Sequence, residues 1–75
     1  MAHVNIGEAV RDARKAAGLR QDQLAASAGV GLRFVVELER GKQTAQLGKV
    51  LQVLTALGLS LEVAPTHRII DGGRF

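Results

Sequence analysis

The sequence predicts an all-α domain closed by one short C-terminal strand. Three observations carry that expectation. Apolar residues recur at spacings of three and four through most of the chain up to Leu57, the period of a helix with one buried face. Two of these runs end in glycine followed by leucine, at positions 18–19 and 58–59, the composition of a helix terminus closed by a left-handed residue. Only "LSLEV", Leu59 to Val63, alternates apolar and polar residues as a half-buried strand does. With 75 residues the chain is one small domain with little stability to spare, so support from a partner chain is expected.

The first helix has a capping-box-like start, Asn5 followed by Glu8 three positions on, and Ile6, Val10, Ala13 and Ala17 line one of its faces. Gly18 ends it, with Leu19 placed to pack back on the last turn. A second helix opens at Gln21 and turns Leu24 and Ala28 inward. Ala25 sits beside them, where a larger side chain would push a crossing helix away. Gly29 permits the positive φ of a tight reversal, and Val30, Val35 and Leu38 supply the inward face of a third helix. Two helices meeting steeply through a glycine-containing turn make a helix-turn-helix; the alternative is a generic pair of packed helices in a bundle. A later helix carries Leu47, Val50, Leu51, Leu54 and Leu57 as its apolar stripe and stops at Gly58.

The strand predicted over 59–63 would turn Leu59, Leu61 and Val63 to one face. A solitary strand leaves its backbone donors and acceptors unpaired. Its simplest partner is the same strand of a second copy across a two-fold axis, the other reading being an extended tail lying on its own core. Residues 1–64 are therefore assigned to one domain with a dimerisation strand, and residues 65–75, which begin at the single proline and carry two glycines, to a flexible tail unless Ile69, Ile70 and Phe75 dock on a partner protein.

Composition narrows the function. Ten lysines and arginines against seven acids leave a net charge of +3, a mild excess whose placement matters more than its total. Arg33, Arg40, Lys42 and Lys49 fall in or just after the third helix, where a protein touching phosphates needs them. There is no cysteine, hence no disulfide or thiolate metal site, and neither a signal peptide nor a membrane span is expected, which points to the cytoplasm. His3 and His67, with no clustered carboxylates, read as solvated tail residues, and no metal or cofactor is expected. No nucleophile, base and orienter are grouped, so an enzyme is not expected.

The stretch "GLRQDQLAASAGVGLRFVVELERGK" resembles the phage-repressor and xenobiotic-response-element (XRE) family, and the likeness runs from about Ile6 to Leu59. It implies a five-helix lambda-repressor-like domain that binds double-stranded DNA in the bacterial, nucleoid-associated cytoplasm. The run "QLGKVLQVLTALGLSLEV" is similar to the HipB-type antitoxins, which implies autoregulation of an operon and binding of a HipA-like kinase toxin. The alternatives are a free-standing regulator, or a protein-interaction module that uses the helix-turn-helix only as scaffold.

The resemblance also implies roles for particular residues. Gln21 would hold the phosphate backbone. Leu32, Arg33 and Glu37 would face base edges: Arg33 can make paired hydrogen bonds to guanine, Glu37 can accept from cytosine, and Leu32 either touches a thymine methyl or packs over the turn. Arg40, Lys42 and Gln43 fall where the family places phosphate contacts, which set register without reading sequence. Arg14 and Glu39 match a structural ion pair tying the first helix to the third. Phe34 half-covers the core, and Val36 is placed to point at the backbone. Arg20 and Gly31 stand where family members carry a serine or threonine cap; arginine is a poor cap, so the second helix is expected to fray at its start. As a homodimer the protein would meet a palindromic operator, its two recognition helices about 34 Å apart.

Overall fold

A computed structural model describes residues 5–63 and 65. His3, His67 and the tail predicted over 65–75, Pro65 excepted, lie outside the described residues. Four helices form: α1 Ile6–Ala16, α2 Gln21–Ala28, α3 Leu32–Glu39 and α4 Leu47–Ala56. Among the described residues this replaces the expectation of five helices, because the chain beyond Gly58 leaves helical geometry and stays out of it to Val63. The strand expected over 59–63 is likewise not formed in the single chain. A strand exists by its ladder, and no described segment of the same chain lies alongside to supply one.

Each helix has a local cause. Asn5 accepts the Glu8 amide at 3.0 Å, capping α1. Arg20 does not cap α2 with its side chain, yet the helix start is held. The Gln23 side chain reaches back to accept the Arg20 amide at 2.9 Å, the second half of a capping box. All four helices end alike: the residue after a positive-φ glycine donates back across the last turn, Leu19 to Arg14 O, Val30 to Ala25 O, Lys42 to Glu37 O and Leu59 to Leu54 O, at 2.8–3.1 Å.

The core joins all four helices through Val10, Leu24, Ala25, Ala28, Val35, Leu38, Val50, Val53 and Leu54. Helix α2 packs on α3 and α4, and α1 packs on α3. Two details correct the expected faces. Ala17 is exposed because it is already the cap of α1. On α4, Val53 is fully buried while Leu47 and Leu51 stay exposed, so the inward face is Val50, Val53, Leu54 and Leu57. Leu51 sits about 100° round the helix from Val50 and lines an open groove beside Ser27 and Ala28 of α2.

Helix α1 approaches α3 through Gly7, which is buried. A Cβ at that position would run into the main-chain oxygen of Leu38, with Glu39 O at 3.1 Å, so the absence of a side chain sets the distance between the two helices.

Candidate nucleic-acid interface

The interface is built from the corner between α2 and α3. Gly29 turns it with φ 74°, a conformation that costs a side-chain-bearing residue about 1–2 kcal/mol. Ala25 and Ala28 keep the two helices close, both buried. From α4, the Gln52 amide donates to Ala28 O at 3.0 Å, satisfying one of the carbonyls that the end of α2 leaves open. On its inner side α3 is anchored by Val35, fully buried, and Leu38.

The other side of α3 is open. Leu32 is 49% exposed and the Arg33 side chain 89% exposed. Arg33 and Glu37 lie one turn apart on the same face, with Arg33 Nε 3.5 Å from Glu37 Oε2. Lys42, just past the helix end, donates from Nζ to the other oxygen, Oε1, at 3.0 Å. The Lys42 ammonium, by hydrogen bond and charge, and then Arg33 hold the Glu37 carboxyl below its ordinary range, against a smaller opposing effect of burial. Arg40 and Gln43 are exposed beside Lys42. Lys49 Nζ stands 5.9 Å from the centre of the half-buried Phe34 ring, within cation–π range. Val36 is half-buried.

Behind this surface runs a polar seam. Arg14 grips Glu39 with both ends of its guanidinium, Nε to Oε2 at 2.6 Å and Nη2 to Oε1 at 3.0 Å, while Nη1 donates to Leu19 O at 2.8 Å. Gln21 joins the seam, its Nε2 donating to Glu39 Oε1 at 3.1 Å. The residue expected on the phosphate backbone thus has its amide nitrogen turned to Glu39, with Gln21 itself half-buried. At the surface in front of it, Arg20 pairs with Asp22 at 3.0 Å, and that hydrogen bond is the main reason the Asp22 carboxyl lies below its ordinary range.

The candidate residues therefore sort into groups. Leu32, Arg33, Glu37, Arg40, Lys42 and Gln43 share the exposed side of α3 and the turn after it. Gln21, Arg14 and Glu39 form the seam beneath. Leu59, Leu61 and Val63 lie apart: Leu59 packs on the chain's own core, whereas Leu61 is 41% and Val63 97% exposed. Sequence reasoning missed Gly7, Gln23 and Gln52. Only Gln23 had a readable signal, a glutamine three places after the residue preceding a helix.

The helix-turn-helix family model matches residues 10–63, most of the chain. The chain belongs to the helix-turn-helix family. The matched span starts within α1 and covers the corner, α3, α4 and the extended segment after it. This helix-turn-helix chain is also similar to an uncharacterized HTH-type transcriptional regulator, y4mF, of Sinorhizobium fredii, with 62% identity over 65 residues covering 85% of this chain and 86% of that protein.

Proposed function

We propose that this helix-turn-helix protein is a sequence-specific DNA-binding transcriptional repressor that acts as a homodimer on a roughly palindromic operator. The observation that carries the reading is the outward placement of α3: Leu32, Arg33 and Glu37 are presented on a helix whose opposite face is locked into the core by Val35 and Leu38. The relative in Sinorhizobium fredii, named as a transcriptional regulator, supports the same assignment. Arg33 reads guanine in the major groove, Leu32 meets a thymine methyl, and Arg40, Lys42 and Gln43 contact phosphates. Gln21 reaches the backbone through the part of its amide that Glu39 leaves open. Leu59, Leu61 and Val63 pair with their counterparts in a second copy, turning the extended segment into a two-stranded ladder that hides its backbone groups.

The test is a gel shift with the protein's own promoter fragment over a range of salt. A specific complex whose affinity falls steeply with added salt supports the repressor, and the absence of any specific shift supports an interaction module instead.

A narrower role is supported by the likeness of Gln46 to Val63 to the HipB-type antitoxins: repression of its own operon and capture of a HipA-like kinase toxin. A kinase-like reading frame beside this gene, whose product copurifies with the protein, supports that role. A gene standing alone leaves a free-standing regulator.

A further inference from the structure

In the DNA-reading surface two cations converge on one carboxylate. Arg33 Nε lies 3.5 Å from Glu37 Oε2, and Lys42 Nζ lies 3.0 Å from Glu37 Oε1, so the two oxygens are each occupied by a different positive group. All three side chains are accessible, with Arg33 at 89%, Lys42 at 47% and Glu37 at 35% of full side-chain exposure. Exposed pairs of this kind add little to folding, and solvent can replace either partner. Their consequence lies in what happens when a duplex replaces the solvent.

We infer that Glu37 is a discriminator: it holds Arg33 and Lys42 together in the free protein and penalises every DNA sequence that offers its carboxylate no hydrogen-bond donor. The inference rests on the DNA-binding reading of α3. For Arg33 to reach a guanine edge and Lys42 a phosphate, both must leave Glu37. The carboxylate is then stripped of its counter-charges and faces a polyanion, where like charges repel strongly. One feature of the major groove relieves this, an exocyclic amino group of cytosine or adenine, which can donate to the carboxylate. On a matching site the donor offsets the lost pairs. On any other sequence the repulsion remains, and Arg33 and Lys42 are retained by Glu37 instead of neutralising phosphates. Specificity gained by weakening wrong complexes needs a built-in repulsive element, and Glu37 is the acidic side chain on this face of α3 that can supply it.

The experiment compares the full chain and its Glu37→Gln variant on two probes: a duplex selected by the wild-type protein from a random pool, and an unselected duplex of equal length. Glutamine keeps the shape and removes the charge. The expected result is that the variant binds the unselected duplex about tenfold more tightly, gains less or loses on the selected one, and shows a salt dependence on the unselected probe steeper by about two released ions per protomer, because Arg33 and Lys42 now reach phosphates. Three results overturn the proposal: weaker binding to the selected duplex with the unselected one unchanged, which makes Glu37 an ordinary base contact; equal gains on both; or no change on either. If the wild-type protein binds neither probe in a salt-dependent way, the DNA-binding reading itself fails, and that is seen before any variant is tested.

Discussion

Arg14 and Glu39, 25 residues apart in the chain, meet in a two-pronged ion pair at 2.6 and 3.0 Å, with only 11% and 4% of their side chains open to solvent. The pair ties α1 to the end of α3, the helix carrying the candidate reading residues, so it sets the angle at which that helix is presented. Burial raises the Glu39 carboxyl, but the hydrogen bonds from Arg14 and Gln21, with the charges of Arg14 and Arg11, outweigh it and hold the group below its ordinary value. A depressed carboxyl contributes stability above its unfolded pKa of about 4.3 and loses it as pH falls through the folded value. Stability should therefore be level near neutrality and decline below about pH 5. Arg14→Ala leaves the Glu39 charge without its partner and should cost about 3 kcal/mol, near the low end for a broken buried pair because Arg14 keeps an edge in solvent. Glu39→Gln should flatten the acid limb of the stability curve. Urea unfolding between pH 3 and 7 measures both, and an unchanged acid limb in Glu39→Gln would remove the pair from its scaffold role.

Gly7 and Gly48 occupy the second position of α1 and α4, so their local helix propensities are matched. Their surroundings are not. A Cβ on Gly7 strikes Leu38 O, while one on Gly48 meets nothing within 4 Å. Gly48→Ala should stabilise by about 0.5 kcal/mol through reduced backbone freedom in the unfolded chain. Gly7→Ala gains the same local term and loses more to overpacking, for a net destabilisation of about 2 kcal/mol. Denaturant midpoints of the two variants decide it; equal shifts would mean that α1 moves off α3 at little cost.

What the sequence disclosed and what it hid follow from the range of the interactions. The cap at Asn5 and the glycine termini at Gly18, Gly29 and Gly58 act within a few residues, and so the start of α1 and the stops of α1, α2 and α4 were legible; the stop of α3 at Gly41 and the uncapped start of α4 were not read. The inward faces of α2 and α3 were also legible, because Leu24, Ala28, Val35 and Leu38 leave a single consistent stripe. On α4, by contrast, Leu47 and Leu51 make a second stripe overlapping that of Val50 and Leu54. Only packing against α2 chooses between them, and it brought Val53 inside. Gly7 had no signal, since a close approach of two helices is not written in either one. The Gln21 amide had two possible partners, a phosphate or Glu39, and 18 intervening residues conceal the second. The exposure of Arg33 follows from the burial of Val35 two places on, on the opposite side of the helix, so the outward side of α3 was legible once its inward side was, whereas Leu32 shares the side of Val35 and is open as the first residue of α3.

Arg33 and Lys42 should separate in their effects on DNA. Arg33 stands on the helix itself and Lys42 follows its glycine terminus, and the proposed DNA complex assigns the first to a base edge and the second to a phosphate. Arg33→Ala should cost about 1 to 3 kcal/mol at one base position and relax preference there. Lys42→Ala should weaken binding by a common factor to every operator variant that keeps the donor facing Glu37, and lower the slope of log affinity against log salt there by about 1. Binding measured on a panel of single-base operator variants at several salt concentrations separates the two, and a uniform loss in Arg33→Ala would move that residue from the reading set to the phosphate set.

Val63 contributes nothing to the monomer's core, being 97% exposed, while Leu61 is 41% exposed two places earlier. Aspartate at Val63 should therefore leave the helices intact and act only on assembly. In a two-fold antiparallel pair centred on Leu61, Val63 would lie opposite Leu59 of the second copy, so each substitution would set a carboxylate into the apolar ladder. Sedimentation should show a dimer for the wild type and a monomer for Val63→Asp, with unchanged helical circular dichroism. Losing the second half-site contact, the variant should also fall toward the affinity of a single domain for operator DNA. The same substitution at Leu59 is a poor test, because Leu59 packs on its own chain's core and its replacement would disturb folding as well as assembly. A wild-type protein that sediments as a monomer at all concentrations would remove the strand-paired dimer, and with it the expectation of a palindromic site.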